Sequence, residues 1–199
     1  ETIFVWPEGI FAGVYFEDLK RFKNLFNKNF SENHLIILGI NTEDNLKDNF
    51  YNSILVVNNK LEILYRYDKE KLVPFGEFLP LNNFFEKLGL KKITQGYGSF
   101  SSGKNQNNFK LNNLSILPLI CYEIIFPELI QSTDNNSNLI INISEDAWFG
   151  NSIGPHQHFA KAIFRSIENN TYLARSANKG ISAFISNNGQ SIKRLEPNE

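Results

Sequence analysis

The chain carries a single cysteine in 199 residues, and the place of that residue invites a chemical reading. Cys121 ends the aliphatic run Leu117-Pro118-Leu119-Ile120 and is followed at once by Tyr122-Glu123. A nucleophile at a strand end, just before a turn, can point into a cleft at the edge of a sheet. Thiolate is a strong nucleophile, but a free thiol has a pKa of about 8.5, so efficient attack needs a nearby base or positive charge. Position alone leaves a second reading open, that of a small buried hydrophobe at a strand terminus.

The base must come from another segment. Histidine is the usual partner of cysteine, and the chain has three. His34 precedes a strand, while His156 and His158 lie two apart and face different sides of a helix. Their spacing does not exclude a Cys–His dyad, but nothing supports one, and no clustered ligands point to a metal. Glu8 is the better base. It follows the apolar run Ile3–Trp6 and the rigid Trp6-Pro7 step, where bulky aromatics can desolvate a carboxylate and strengthen it as a proton acceptor. Lys69 lies in Tyr65-Arg66-Tyr67-Asp68-Lys69-Glu70-Lys71, and a lysine at a strand end can stabilise a developing oxyanion. Taken singly, Glu8 reads equally as a solvated loop charge and Lys69 as ordinary surface. Neighbours two apart on a strand share a face, so geometry does not choose between Lys69 and Lys71.

These residues need elements to hold them. Ile3–Trp6 reads as a short buried strand. Residues Tyr15–Asn29 place Phe16, Leu19, Phe22 and Phe26 at steps of three and four, the spacing of an amphipathic helix. Leu35–Ile40 is a continuous aliphatic run and reads as a central strand. Ser53–Val57 and Leu61–Tyr67 flank Asn58-Asn59, a hairpin turn because Asn tolerates positive φ. From about 72 to 113, prolines, glycines and a polar stretch interrupt any period, which suits either an active-site lid or a disordered insertion. A short helix is expected at Phe84–Leu90 within it. Order returns with strands at Leu114–Cys121 and Leu139–Ser144 and a short helix from Pro127 to Ser132. A helix with Pro155 in its first turn should run to about Asn169, presenting Phe159, Ile163 and Ile167 on one face. Strands follow at Tyr172–Ala177, Ile181–Ser186 and Ser191–Leu195, the last two joined by an Asn187-Asn188-Gly189 turn. Alternating strands and helices without an internal repeat or a linker argue one α/β layered domain spanning residues 1–199.

Composition sets the class. An apolar fraction of 42% and an aromatic fraction of 14% belong to a packed globular chain. A formal net charge of −1 gives no global drive toward nucleic acid. One cysteine allows no internal disulfide. No apolar run approaches the ~20 residues that span a bilayer. The sequence holds no methionine and opens Glu1-Thr2-Ile3, so a fragment or processed product is expected.

The three chemical segments together resemble the nitrilase superfamily of carbon–nitrogen hydrolases. The signature of that superfamily is a Glu after a first strand, a Lys in a Tyr-x-Lys-x-x-Leu segment, and a Cys in a segment ending Cys-Tyr-Glu or Cys-Tyr-Asp. Trp6-Pro7-Glu8, Tyr67-Asp68-Lys69 and Ile120-Cys121-Tyr122-Glu123 stand in that order here. The match selects Lys69 over Lys71. It implies an αββα sandwich, incomplete at both ends because the usual first strand–helix unit is missing and the C-terminus stops early. Finer features resemble the apolipoprotein N-acyltransferase branch. They are Leu72-Val73-Pro74-Phe75-Gly76-Glu77-Phe78-Leu79-Pro80-Leu81, Asn142-Ile143-Ser144-Glu145-Asp146-Ala147-Trp148-Phe149-Gly150, the stretch from Ser152 to Phe159 and the stretch from Arg175 to Ser182. Glu145 departs from that branch, which usually has Asn there.

The resemblance implies an acyltransferase. It would take an acyl chain from a membrane phospholipid onto Cys121 as a thioester and pass it to the α-amino group of a diacylglyceryl-cysteine lipoprotein. Glu8, Lys69 and Cys121 would be base, oxyanion stabiliser and nucleophile. Glu77 would orient Lys69, and Tyr122, Glu123 and Trp148 would shape the pocket. No cofactor or metal is implied. The family joins this domain to transmembrane helices in the bacterial inner membrane, with the catalytic domain on the periplasmic face, and the 72–113 lid would admit lipid. Two alternatives use the same fold. One is a soluble amidase with water as acceptor, against which the Trp148-Phe149 segment and the apolar Phe75–Leu81 stretch argue. The other is a non-catalytic binding domain, against which the intact Glu, Lys and Cys argue.

Overall fold

Continuous aliphatic runs make strands that are buried on both faces, and such strands need cover on both sides. The computed structural model, which describes residues 2–44, 49–78, 99–104, 107–131 and 137–197, meets that need with two facing sheets. The first sheet has the order β1-β2-β3-β4, from β1 (Thr2–Val5), β2 (His34–Asp44), β3 (Asn49–Val57) and β4 (Ile63–Asp68). β1 runs parallel to β2, and the other pairs are antiparallel. The second sheet has the order β10-β9-β8-β7-β6-β5. Its strands are β5 (Phe109–Leu111), β6 (Leu114–Ile120), β7 (Leu139–Glu145), β8 (Tyr172–Asn178), β9 (Ser182–Ile185) and β10 (Ser191–Leu195). β6, β7 and β8 are parallel, and the flanking pairs are antiparallel.

Strand alternation sorts the core into three layers of contact. Leu35, Ile37, Ile54 and Val56 of the first sheet meet Ile116, Ile120, Ile141 and Ile143 of the second. The intervening residues Ile36, Leu38, Ile40, Leu55 and Val57 face outward onto Phe16, Leu19 and Phe26. Those three come from helices α1 (Phe16–Leu19) and α2 (Lys23–Asn29). On the far side, Leu117, Leu119, Ile140, Leu173 and Ile185 pack on Leu129 and Ile130 of α3 (Glu128–Gln131) and on Phe159 and Ala162 of α4 (Gly154–Glu168). The order helix, sheet, sheet, helix is the αββα sandwich.

Local chemistry differs from expectation in three places. The helix expected over 15–29 is two α-helical pieces joined by a 3-10 turn at Lys20–Phe22. That turn rotates Phe22 off the apolar stripe and into solvent. In the β3–β4 turn the positive φ falls on Leu61, at 56°. Asn58 keeps regular backbone and uses its side-chain oxygen to accept from the amides of Lys60 and Glu62, at 2.9 and 3.0 Å. In α4, Phe159 is buried and Ile163 packs on the core, but Ile167 is exposed near the helix end. Within the 72–113 stretch, expected to be irregular, Phe109–Leu111 pairs with β6 and joins the second sheet. The helix expected at 84–90 and the apolar residues around it lie outside the described residues. Among the described residues, no helix is long and apolar enough to cross a membrane.

Candidate active site

Three strand ends deliver the three chemical residues to one place. Glu8 follows β1, whose end is fixed by Trp6, its amide donating to the Ile37 carbonyl at 2.8 Å. The Trp6 ring packs among Phe11, Phe26 and Phe30 on the outer side of the first sheet. The Glu8 carboxylate is bound at both oxygens. Oε1 accepts from Asn52 Nδ2 at 2.7 Å, and Oε2 accepts from the Glu145 amide at 3.0 Å.

Lys69 follows β4 and is 1% exposed. A buried ammonium is stable only with charged partners. Its Nζ donates to Glu77 Oε1 at 2.9 Å and lies 3.8 Å from Glu8 Oε1. Burial pulls the lysine pKa down, but the Glu8 and Glu77 carboxylates outweigh it, so the net shift is upward and the amine stays charged. Glu77 is held in turn by Asn52 Nδ2 at 2.8 Å and by the Val73 amide at 2.9 Å. Asn52 thus bridges the two carboxylates that flank the lysine. Lys71 goes elsewhere, to the exposed Glu128 carboxylate at 3.6 Å and over the Phe126 ring.

Cys121 follows β6 and opens a 3-10 turn, Cys121–Ile125, with φ at +48°. Burial and the Glu8 charge push its thiol pKa up to about 12, against the opposing pull of Lys69, the Ser144 hydroxyl and the Glu145 amide. The resting thiol is therefore neutral, and a base must remove its proton during reaction.

Glu123 does not line the cavity that these residues share. It is fully buried and straps two segments together. Its Oε1 accepts from the Tyr67 hydroxyl at 2.7 Å and from the amides of Glu70 and Lys71 at 2.7 and 3.1 Å, and its Oε2 accepts from the Ile120 amide at 2.8 Å. Burial raises its pKa to about 7 against those donors. The strap ties the backbone after Lys69 to the backbone before Cys121.

The cavity measures about 1250 Å³. Glu8, Lys69, Glu77 and Cys121 line it together with Tyr122, Glu145 and an apolar wall that includes Phe11, Val73, Phe100, Ile125, Trp148, Phe149 and Ile153. Tyr122 stands edge-on to Phe126, with ring centres 4.9 Å apart. Trp148 and Ile153 are 60% and 63% exposed, so the rim is apolar and open. Glu145 also faces the cavity. Asn178 Nδ2 donates to it at 2.7 Å, burial raises its pKa, and Gly9, at φ +80°, leaves the space its carboxylate fills.

A second buried network lies behind the nucleophile, and sequence reasoning missed it. Asp146 Oδ2 pairs with Arg175 Nη2 at 2.8 Å, and Asp146 Oδ1 accepts from the Ser144 hydroxyl at 2.7 Å and lies 2.9 Å from His158 Nδ1. His158 Nε2 lies 3.1 Å from the Cys121 carbonyl oxygen. Burial opposes its ionisation, yet the His158 hydrogen bond and the Arg175 charge hold the Asp146 carboxyl down at about 2. His158 does come to Cys121, but at its backbone rather than as a base for the thiol. Asn52 was missed too. Nothing in the spacing of these polar residues signals that they meet.

A Glu, a Lys and a Cys gathered at strand ends inside an αββα sandwich define a class. The chain belongs to the carbon–nitrogen hydrolase family, whose sequence profile matches residues 5–199. Among curated proteins it is similar to the apolipoprotein N-acyltransferases of Rhizobium rhizogenes and Rickettsia prowazekii. The first is 33% identical over 99% of this chain and 38% of that protein, and the second 38% identical over 99% and 40%. That of Rhodopseudomonas palustris is 45% identical over 73% of this chain and 27% of its own length. The chain thus spans about two fifths, or less, of the curated relatives it matches. Two solved structures share the fold. Nit3 of Saccharomyces cerevisiae, a nitrilase-superfamily member, has a TM-score of 0.71 at 18% identity, covering 100% of this chain and 73% of that one. An amidase mutant from Nesterenkonia, with an acetamide moiety added covalently at its active-site cysteine, has a TM-score of 0.68 at 16% identity, covering 98% and 73%.

Proposed function

We propose that this chain is the catalytic domain of an acyltransferase that moves a fatty acyl group from a phospholipid, through a thioester on Cys121, to the N-terminal amine of a diacylglyceryl-cysteine lipoprotein. One observation carries the reading: Glu8, Lys69 and Cys121 share the lining of a large cavity whose wall and rim are apolar. The relatives named above favour the same activity. The whole protein would act at the bacterial inner membrane with this domain on the periplasmic face.

Each residue has a step. Glu8 takes the thiol proton as Sγ attacks the ester carbonyl of the phospholipid. The Lys69 ammonium and the leading amides of the Cys121–Ile125 turn hold the tetrahedral oxyanion. Glu77 and Asn52 keep Lys69 and Glu8 in register for this. Collapse breaks the ester C–O bond, and the leaving alkoxide regains the proton from Glu8 to depart as lysophospholipid. The acceptor amine then attacks the thioester, Glu8 takes its proton, and the C–S bond breaks to give the amide, with Glu8 returning that proton to the departing Cys121 thiolate. Trp148 and Tyr122 border the acyl chain. From the expected lid, Val73, Gly76 and Phe100 line the same cavity and would keep water from the thioester.

The test is mass spectrometry of the full-length protein after incubation with phospholipid. An acyl adduct on Cys121, labile to hydroxylamine and absent from Cys121→Ala, is expected. Normal acyl transfer by Cys121→Ala would sink the assignment. A thioester that passes only to water, never to an amine, would favour the amidase reading.

A further inference from the structure

Cys121 has a left-handed backbone, with φ at +48°. A residue with a Cβ keeps that conformation only where its surroundings over-determine it. The carbonyls at this strand end are held by side chains from two other elements. His158 of α4 lies with Nε2 3.1 Å from the Cys121 carbonyl oxygen. A carbonyl can only accept, so Nε2 carries the hydrogen and donates. Two residues back, the Leu119 carbonyl accepts from Asn142 Nδ2 at 3.1 Å. Asn142 Oδ1 in turn accepts from Arg175 Nη1. Arg175 Nη2 joins both ends, reaching Asp146 at 3.0 and 2.8 Å and lying 3.1 Å from His158 Nδ1.

All of these side chains are buried, and Asp146 and Arg175 do not line the cavity. A buried ion pair is a poor way to gain stability alone, since apolar packing of the same volume often serves as well. What apolar side chains cannot do is hydrogen-bond two chosen carbonyls. Gly180 fits the same picture, because a Cβ there would overlap the Asp146 carboxylate.

We infer that Asp146, His158 and Arg175 form a positioning network for the nucleophile: through His158 and Asn142 they hold the carbonyls of Cys121 and Leu119, on either side of the Cys121 Cα, and so set the direction from which the thiol attacks. The inference rests on the reading of Cys121 as nucleophile. The three are positioning residues, acting through the Cys121 peptide.

Side-chain replacement at His158 separates positioning from bulk structure. Gln can place an amide nitrogen where Nε2 stands, Asn only where Nδ1 stands, and Leu keeps volume without a donor. Two rates are read on the full-length protein, each normalised to the folded fraction: alkylation of Cys121 by iodoacetamide, and acyl-thioester formation from phospholipid. His158→Leu and His158→Asn should slow thioester formation by about a hundredfold, the scale of a misplaced reacting group. His158→Gln should recover to within about tenfold of wild type. A folded His158→Leu at the wild-type rate overturns the inference, and so do equal rates for Gln and Asn. If Leu prevents folding, the Gln–Asn comparison decides alone. If wild type forms no thioester but alkylation ranks Gln above Asn, the acyltransferase reading fails and the positioning network stands.

Discussion

Lys69 and Lys71 are two residues apart and chemically identical, yet the protein treats them in opposite ways. Lys69 is enclosed by Glu8 and Glu77, while Lys71 reaches an exposed carboxylate. Lys69→Ala should therefore slow acyl transfer by about 10²–10³, the usual loss for one oxyanion donor. Lys71→Ala should stay within about threefold, since exposed ion pairs contribute little. A reversed pattern in steady-state rates would move the role to Lys71. The thiol gives a second expectation. With its pKa pushed up to about 12, thiolate is scarce at neutral pH and increases as pH rises. Alkylation of Cys121 should climb about tenfold per pH unit between about pH 7 and 9, where an ordinary thiol bends over near 8.5. A plateau in that window would show a thiol kept ionised in the resting state. Glu8, Lys69 and Cys121 stood out in the sequence through three motifs taken together, and Glu77 through the family resemblance alone; the four share one cavity. Asn52 was not legible, because an amide in the middle of a strand gives no outward sign that it will bridge two carboxylates. His158 was weighed only as a base or metal ligand, and its contact is with a main-chain carbonyl.

At the scale of elements, the Glu123 strap is what couples β4 to the turn after β6. Tyr67→Phe removes one hydrogen bond to a buried carboxyl and should cost about 1.5–3 kcal/mol in urea unfolding. Because the strap also aligns the segment after Lys69, the folded variant should lose acyl-transfer rate as well. Unchanged stability would mean that Glu123 is satisfied by its backbone donors alone. The strands themselves were readable, since aliphatic runs such as Leu35–Ile40 and Leu139–Ser144 permit little else. The turns were less so. The β3–β4 turn uses the side chain of Asn58 instead of its backbone freedom, and the positive φ passes to Leu61, which sequence preference would not choose. Phe22 kept the helical period but lost its place on the apolar face, because a 3-10 turn advances side chains by a different angle from an α-helix.

At the scale of the whole molecule, the apolar rim decides what can approach. Trp148 and Ile153 expose large side chains at the mouth of the cavity. Replacing both with Ser should slow acylation from phospholipid bilayers by about tenfold or more, the equivalent of one buried apolar side chain. Alkylation by small water-soluble iodoacetamide should change by less than about threefold. Equal loss of both reactivities would make the rim part of the core. The layered class was visible from the order of strands and helices, whereas the meeting of distant strand ends depends on how two sheets dock, which no local pattern encodes. That docking has a further consequence. Glu8 and Lys69 leave strands of one sheet and Cys121 leaves a strand of the other. A chain with only one sheet formed holds a base without a nucleophile or a thiol without a base. Chemical competence therefore requires both sheets to be docked, and a half-folded chain cannot carry out the proposed thioester step.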